Sequence, residues 1–392
     1  MKISIKNFGP IDHFEFDLEK DLHVIYGENN IGKSWAIESL YLLLKFWREK
    51  SGIVTKYEGN DGNLLYKLNF QKIDLLVDFN NSFDNTFNEM KNVISGIEPE
   101  IIINTEIVKI KLNRRNEQEN AYSSESRIAE FNGTYTLVNN DSINHLFFIE
   151  NIYFLPASKS GIYQVLSNMG NIFAQLSQLP LKNTSLNLPS MSNPVSDYIL
   201  NIAAINGSTQ GEFGSFVDFL EEKVIEGSVV FDDLQKKLKY KSNRTGLVSE
   251  LHEASSMIAE VSPLVAYLKY ILPKKNSILF IEEPEAHLHP KVQVEMMKIF
   301  VDLAKSGVKV VMTTHSDFMM DTLTNQILDG KIEAEKIASY HLKMGEKGSY
   351  DVGDMKATSE GIRDFNFSET SIALYEERMQ LLEKKQEAED AD

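Results

Sequence analysis

The stretch Gly27-Glu28-Asn29-Asn30-Ile31-Gly32-Lys33-Ser34 decides the fold. It reads G-x-x-x-x-G-K-S, follows an apolar run over residues 22–26 and precedes a helical pattern over residues 35–48. A phosphate-binding loop requires a strand, a loop and a helix in that order. Its glycines let backbone N–H groups turn toward phosphates, and the helix presents its positive end to them. The stretch therefore predicts a nucleoside triphosphate site; a glycine turn that binds nothing is the alternative.

Two side chains of this loop have specific predicted roles. Lys33 is expected to reach the β- and γ-phosphate oxygens, and the Ser34 hydroxyl is expected to complete a magnesium shell. The aromatic rings on the following helix are expected to pack in the core, because apolar residues recur there at helical spacing. The other residues assigned to nucleotide binding complete the loop and open the helix: Gly27, Asn29, Asn30, Ile31, Gly32 and Trp35.

The composition indicates a globular protein. With 392 residues, 42% of them hydrophobic, the chain can bury a sizeable core. Its formal net charge of −17 argues against binding nucleic acid over the whole surface, so any DNA or RNA contact must be local. The absence of cysteine excludes disulfides, thiolate zinc sites and thiol nucleophiles. With no segment of ~20 apolar residues, the chain is expected to be cytoplasmic and to have no membrane partner.

Alternation and turn signals divide the chain. Residues 2–6 and 11–18 alternate apolar and polar types around a Gly-Pro turn and predict a hairpin before the loop strand. β-like runs over 64–70, 74–79, 101–112 and 134–139 predict an appended antiparallel sheet. We expect four segments: the first half of the main domain (1–160), a helical or irregular insertion (161–245), the second half (246–345) and a helical acidic tail (346–392).

A second candidate site element follows the apolar run over residues 277–281. That run predicts a fully buried strand, and it ends in Glu282 and Glu283. Two carboxylates at the end of a buried strand are costly unless a ligand needs them. Magnesium and an attacking water supply that need, so Glu282 is assigned to the metal and Glu283 to activation of the water. Solvated helix-cap acids are the alternative interpretation.

Histidines close to these acids receive different assignments. Residues 308–312 predict a third strand, and His315 just beyond it could sense a γ-phosphate, although a lone histidine is usually only a hydrogen-bonded polar group. His287 and His289 are not assigned to a metal, because Pro290 follows at once and no compact ligand set completes a shell. Lys159, in a turn after the apolar run 152–155, could face a phosphate or simply be exposed.

Two basic clusters stand out in this acidic chain. The first is Lys109, Lys111, Arg114 and Arg115, at the end of a predicted strand, where charge protects a sheet edge or contacts nucleic acid. The second is either a helix surface or a nucleic-acid contact. It consists of Lys236, Lys237, Lys239, Lys241 and Arg244.

The order of these motifs resembles the ABC-type ATPases of the OLD and RecF-like group. The resemblance extends from residue 7 to residue 316 and includes 7–11, 27–34, 155–160, 254–256, 281–290 and 313–316. It implies an α/β fold, in which an ABC-type P-loop head has a mixed sheet around the P-loop helix, an antiparallel β subdomain and a mainly helical insertion. It also implies ATP and Mg²⁺ as cofactors, with each nucleotide held between two heads of a homodimer or higher oligomer.

The resemblance assigns further residues. Ser255 and Ser256 correspond to the signature segment that reaches the γ-phosphate on the partner head, residues 285–290 to the dimer-facing loop, and His315 to the switch histidine. Three features depart from the family pattern. Glu282 replaces the more usual Asp, Met257 follows the serines where Gly is common, and no Q-loop glutamine can be placed.

The remaining segments select a subgroup. About 75 residues follow His315, which we expect to be too few for a Toprim nuclease domain. No sustained heptad predicts a coiled-coil arm of the kind found in SMC-type repair ATPases. What remains resembles the stand-alone OLD-like ATPases of bacterial anti-phage systems such as Septu and PARIS. That resemblance implies an ATPase that controls a separate nuclease or effector. The alternatives are a DNA repair ATPase that binds DNA through the basic clusters and, from a different class, a nuclease.

Overall fold

The computed structural model describes residues 2–51, 54–58, 64–69, 100–104, 109–114, 122–123, 134–138, 149–163, 191–208, 211–362 and 372–382. Seventeen strands lie within these ranges: β1 (Lys2–Phe8), β2 (Ile11–Asp17), β3 (Leu22–Tyr26), β4 (Val54–Glu58), β5 (Leu64–Asn69), β6 (Glu100–Asn104), β7 (Lys109–Arg114), β8 (Tyr122–Ser123), β9 (Thr134–Val138), β10 (Asn151–Leu155), β11 (Gly227–Asp232), β12 (Lys237–Ser242), β13 (Val248–Glu250), β14 (Ser277–Glu282), β15 (Val308–Thr314), β16 (Ile337–Met344) and β17 (Ser349–Asp351).

The helices with labels are α1 (Lys33–Ser51), α2 (Asn193–Ala203), α3 (Gly214–Phe219), α4 (Ser256–Ala266), α5 (Pro290–Lys305), α6 (Asp317–Leu328) and α7 (372–382), and residues 159–163 are helical as well. One π-helical turn follows α3 and another follows α4 (Leu220–Val224 and Tyr267–Ile271), and single 3₁₀ turns cover Leu251–Glu253 and Ala334–Lys336. Local sequence explains several helix starts. Ser255, His289 and Ser316 cap α4, α5 and α6 by accepting from backbone N–H groups.

The main sheet has the strand order β10-β14-β15-β3-β16-β17-β2-β1-β6-β7-β8. Strands β10, β14, β15, β3 and β16 run parallel to one another. From β17 outward the pairing is mixed and then antiparallel. Parallel strands require both faces to be covered, which explains why β3 and β14 are buried at every position.

Each face of the parallel half packs against its own core. Val24 and Leu279 point into a core formed with α4, α5 and α6, whereas Ile25 and Phe280 point into a core formed with α1 and the β1–β2 hairpin. The alternation follows from the two-residue period of a strand. Helices therefore lie on both sides of the parallel strands, and α1 starts directly at the carboxyl end of β3.

The expected α/β fold with a mixed sheet around the P-loop helix is confirmed. The antiparallel strands after α1 divide into two groups, because β6, β7 and β8 extend the main sheet while β4, β5 and β9 form a separate sheet. Residues 101–112, predicted as one strand, form parts of β6 and β7. The predicted strand over residues 74–79 lies outside the described residues.

The segment predicted as a helical or irregular insertion contains both helices and strands. Its described part holds α2, α3 and the strands β11 and β12, which form a three-stranded sheet with β13. Tyr198, Phe213 and Val229 are fully buried in the core shared with α5. The second basic cluster consequently lies on a strand and in the turns on either side of it, so the interpretation of this cluster as a helix surface was wrong. Leu238 and Tyr240 alternate with the lysines and are buried.

Beyond residue 345 the described chain continues as β17 and a segment that packs Met355 and Ile362 into the core, and α7 is exposed along its length. Among the helices that the structure describes, none combines the length and the apolar character needed to cross a membrane.

Candidate nucleotide-binding and hydrolysis site

Three strand ends bring the predicted site residues together. In the parallel sheet, Thr314 of β15 pairs with Tyr26 of β3, and Glu282 of β14 pairs with Thr313 of β15. The carboxyl ends of these strands therefore meet at one edge of the sheet, where open α/β sheets place their ligands. Residues almost 300 positions apart in the chain become neighbours there, which we call the carboxyl edge.

The backbone of the phosphate loop has the conformation that its glycines permit. Gly27 has φ +149° and Gly32 has φ +94°, values that side-chain-bearing residues rarely adopt. A Cβ on Gly27 would lie 2.6 Å from the Leu342 main-chain oxygen, and one on Gly32 would lie 2.8 Å from Pro10 Cγ. Asn30 also has positive φ, which asparagine tolerates better than most residues.

Lys33 lies inside the loop. Its Nζ donates to the main-chain oxygens of Gly27, at 2.8 Å, and of Glu28, at 2.6 Å, and the side chain is buried. Burial lowers the pKa of Lys33, while the carboxylates of Glu283, Glu285 and Glu28 oppose that shift. The ammonium group therefore lies between two main-chain oxygens of the loop, with carboxylates nearby.

Ser34 and Glu282 meet at the position predicted for the metal. The exposed Ser34 hydroxyl lies near the Glu282 carboxyl group, where it opposes the effect of burial on the pKa of that group. The Glu282 Oε2 accepts from the Ala157 N–H at 3.3 Å, and its Oε1 is buried without a hydrogen-bond partner among the described residues. Burial raises the pKa of Glu282. A hydroxyl and a buried carboxylate oxygen with spare capacity suit magnesium, which prefers oxygen ligands.

Glu283 follows in a strained backbone conformation. It has φ +41°, and its N–H donates to Thr313, to the main-chain oxygen at 3.1 Å and to the hydroxyl at 3.2 Å. Glu283 is the first residue beyond β14, so it lies at the same strand end as Glu282. A non-glycine residue at such a φ costs about 1–3 kcal/mol, and such strain concentrates at functional sites.

His315 lies beside a buried acid. The Glu285 Oε1 accepts from the Thr314 hydroxyl and from the His315 N–H, both at 2.7 Å, and lies 3.3 Å from His315 Nδ1 at an angle unsuited to a hydrogen bond. Glu285 is only 4% exposed, whereas the His315 side chain is 38% exposed. Glu285, the first residue of the expected dimer-facing loop, is buried and binds the end of β15. His287 and His289 of that loop are exposed.

The remaining predicted site residues lie in two places. Ser255 and Ser256 are exposed at the start of α4, where the Ser255 hydroxyl accepts from the Ile258 N–H. The ring of Trp35 packs edge-on against Phe8 at 5.6 Å between ring centroids. This agrees with the expected core role of the ring. Asn29 is exposed in the loop and Ile31 is buried beneath it, while binding of nucleotide by their backbone remains a prediction.

Sequence reasoning missed or underrated four polar groups near this edge: Lys159, Glu260, Glu38 and Gln293. Burial lowers the pKa of Lys159, which the nearby carboxylates, chiefly that of Glu260, oppose, and the side chain is only 3% exposed rather than surface-exposed. Burial next to Glu282 raises the pKa of Glu38 to about 8. Gln293 accepts from the Ser316 hydroxyl at 2.5 Å. Glu38 offered a signal, because it lies one helical turn after Ser34; the other contacts depend on the tertiary fold.

Comparison with protein families gives a coarser classification. A model described as an AAA ATPase domain matches residues 1–171 and 264–320, which together are more than half of the chain. The chain belongs to this ATPase domain family. The matched ranges contain the phosphate loop, Glu282, Glu283 and His315, and they leave out Ser255 and Ser256. Within the described residues, no group of three or more histidine, cysteine or acidic side chains could hold a metal by itself.

Individual relatives resemble parts of this ATPase. The chain is 31% identical to the Old nuclease of Escherichia phage P2 over 117 residues, which are 29% of this chain and 19% of that protein. It therefore spans about a fifth of the length of this curated relative. Among solved structures, the SMC head domain from Thermotoga maritima is 11% identical, with 90% of this chain and 97% of that chain covered and a TM-score of 0.37. An SmcHead bound to the C-winged helix domain of ScpA gives 11% identity, 90% and 96% coverage and a TM-score of 0.39.

Proposed function

We propose that this chain binds ATP with magnesium, hydrolyses it, and associates with a second copy around the nucleotide. The observation that carries the proposal is the meeting of Lys33, Ser34, Glu282 and Glu283 at one edge of the sheet. An ammonium group, a hydroxyl and two carboxylates supply what phosphoryl transfer to water needs: charge on the phosphates, a metal shell and a base.

Magnesium fits the Ser34–Glu282 pair. Ser34 and the free Glu282 Oε1 would hold the ion, with phosphate and water oxygens completing the coordination that Mg²⁺ prefers. When bound, the ion neutralises charge that develops on the phosphates. Lys33 would perform the same electrostatic task, because its ammonium lies inside the loop.

Glu283 is the base in this scheme. Its carboxylate orients a water and takes a proton from it as the water oxygen attacks the γ-phosphorus. The bond from that phosphorus to the bridging oxygen then breaks, releasing ADP and phosphate. The half-exposed His315, held by Glu285, would contact the γ-phosphate. Ser255 and Ser256, exposed at the start of a helix, would contact the nucleotide of a second copy through the positive helix end.

We propose that this chain controls a separate nuclease or effector subunit. It would do so through the ATP-dependent assembly of its heads, as part of anti-phage defence. Partial similarity to the Old nuclease supports a link to phage-related nucleases. An ATP-bound pair of heads would present a composite surface that scaffolds or restrains the effector, and hydrolysis would release it. Localisation to the cytoplasm is part of the same proposal.

The experiment is a mass measurement with the Glu283→Gln variant. Removing the base should leave ATP binding intact and trap associated heads, so ATP and magnesium should at least double the measured mass. The Lys33→Ala variant is the control and should stay at its starting mass. The product of a neighbouring reading frame that encodes a nuclease should co-purify with the trapped form only. Unchanged mass in saturating ATP would contradict the assembly proposal.

Direct DNA binding is the less supported alternative. Three lysines of the second basic cluster each contact an acid: Lys237 contacts Glu250, Lys239 contacts Asp232 and Lys236 contacts Asp233, at 3.2, 2.8 and 3.6 Å. Because each of these lysines has an acidic partner, the cluster has less net positive charge with which to attract phosphates. The side chains of the first cluster, Lys109, Lys111, Arg114 and Arg115, lie outside what the structure describes.

A further inference from the structure

A buried polar bridge joins the helix that begins with Ser256 to the strand end that carries Glu283. Its first half is Lys159, the first helical residue after the turn that follows β10. The Lys159 Nζ donates to the main-chain oxygen of Glu282 at 3.1 Å. The turn itself is held in an unusual conformation, since Ser158 has φ +51°.

This contact acts on the peptide bond between Glu282 and Glu283. Lys159 holds the oxygen of that peptide group, while Thr313 accepts from its N–H at 3.1 and 3.2 Å. Both polar ends of one peptide unit are therefore fixed by side chains or backbone from neighbouring strands. Because Glu283 follows directly with φ +41°, the direction of its side chain depends on how this peptide is held.

The second half of the bridge is Glu260 on α4. Its Oε1 accepts from the Ser160 N–H at 3.2 Å and from the Ser160 hydroxyl in a short hydrogen bond. Glu260 is only 5% exposed, and its Oε2 is buried with no partner among the described residues. A buried carboxylate with spare capacity is expensive to keep in a core, so it needs a reason beyond packing.

We propose that Glu260 and Lys159 form a positioning bridge through which α4 sets the placement of Glu283. The inference rests on the proposed function, in which Ser255 and Ser256 at the start of α4 meet the nucleotide of a second copy. A shift of α4 would move Glu260, then the turn at Ser160 and Lys159, and then the peptide before Glu283. Neither bridge residue is assigned to contact the reacting atoms; they make hydrolysis at one nucleotide respond to the presence of the other head.

The chain offers a matched control for this bridge. Lys269 donates to the Glu221 carboxylate at 2.8 Å and to the Val229 main-chain oxygen at 2.9 Å. Like Lys159, Lys269 donates to a main-chain oxygen, although it also contacts a carboxylate. It lies in the π-helical turn that follows α4 and is not one of the predicted site residues. Replacing Lys269 or Glu221 should cost stability without affecting turnover.

The test measures kcat, KM and the dissociation constant for ATP in four variants and in two double variants. The bridge variants are Lys159→Met, Glu260→Gln and their combination; the control variants are Lys269→Met, Glu221→Gln and theirs. Lys159→Met should lower kcat about 10- to 100-fold, the usual cost of losing a residue that orients a catalytic group, and change the ATP dissociation constant less than about threefold. The double bridge variant should be no slower than Lys159→Met, because both changes break one connection.

Each result decides the matter. Wild-type kcat in Lys159→Met, or losses that multiply in the double variant, would overturn the bridge while leaving the ATPase proposal intact. A wild-type chain that binds ATP and releases no phosphate would instead remove the ATPase proposal and the bridge with it. If Lys159→Met does not fold, Glu260→Gln decides: a lowered kcat with unchanged ATP affinity supports the bridge, and an unchanged kcat overturns it.

Discussion

Two clusters of charged side chains in this protein are built differently. On and beside the sheet formed by β11, β12 and β13, three lysines each contact an acid, as Lys239 does with Asp232 at 2.8 Å. At the carboxyl edge, Glu282 Oε1 and Glu285 Oε2 are buried without hydrogen-bond partners among the described residues. Lys33 there donates to main-chain oxygens rather than to a carboxylate.

The difference separates charges that serve the fold from charges that serve a ligand. Half-exposed pairs satisfy each other and contribute only about 0–1 kcal/mol each. A buried carboxylate oxygen without a partner costs folding free energy. A protein can tolerate such a group where the binding of a ligand compensates for that cost. The carboxyl edge is therefore where we propose that a cation and phosphates bind.

The largest expected effect comes from removing the loop ammonium. Lys33→Ala should abolish measurable ATP binding, because no other described cation lies within the loop, and titration with a fluorescent ATP analogue measures this. Lys239→Ala is the matched control, since it removes a lysine of the paired sheet, and it should bind ATP like the wild type. Equal ATP affinity in both variants would erase the contrast between the two clusters.

Glu283→Gln should have the next largest effect. The amide cannot accept the proton from water, so kcat should fall about 10²- to 10⁴-fold while ATP binding is retained. Phosphate release under saturating ATP measures the change. Hydrolysis at the parental rate would remove Glu283 from the role of base.

Stability should distinguish the clusters as well. Thr314→Val removes a donor to the buried Glu285 carboxylate, which should cost about 1–3 kcal/mol of unfolding free energy. Lys239→Met removes one half of an exposed pair and should cost less than about 1 kcal/mol. Urea unfolding of both variants tests the order. A larger loss of unfolding free energy in Lys239→Met than in Thr314→Val would contradict the expected order of the two clusters.

A pH effect should arise away from both clusters. Burial, with a smaller effect of Lys309, lowers the pKa of His23 from 6.5 to about 3, so the unfolded chain binds a proton that the folded chain excludes between these pH values. Stability should therefore fall as pH drops below 6.5, by about 1 kcal/mol between pH 6 and pH 5. His23→Gln should reduce this slope when urea unfolding is followed at both pH values. An unchanged slope would show that His23 titrates normally.

The smallest expected effect is on the affinity for DNA, when a paired lysine of the β11–β12–β13 sheet is replaced. Lys237→Met should leave the affinity for duplex DNA at low salt unchanged, because Lys237 already contacts Glu250 at 3.2 Å. A filter-binding titration over salt concentration measures it. DNA binding by the wild type that weakens in this variant, with a reduced salt slope, would make the cluster a DNA contact after all.

Local patterns were sufficient to predict the centre of the fold. The apolar runs that became β3, β14 and β15 are continuous because parallel strands are covered on both faces, and such runs can be read without knowing their neighbours. Glycine spacing gave the loop, since Gly27 and Gly32 must adopt positive φ. Once parallel strands are assumed, their carboxyl ends must share an edge, so the meeting of the loop with Glu282 followed.

The misses have physical causes. Residues 237–240 alternate Lys-Leu-Lys-Tyr, a two-residue period that indicates a strand, and the helical reading gave too much weight to charge. The burial of Glu285 could not be predicted, because its partner, Thr314, lies 29 positions away. The contact of Glu260 with Ser160 joins residues 100 positions apart. No periodicity carries such information, because it arises only when α4 packs beside the turn after β10.

One measurement tests whether the carboxyl edge hydrolyses ATP with magnesium. It compares phosphate release from ATP by the purified chain in magnesium with release in excess chelator. Turnover should require magnesium and should disappear in Lys33→Ala prepared in the same way. Absence of phosphate release while ATP is bound would contradict it, and so would equal release by Lys33→Ala.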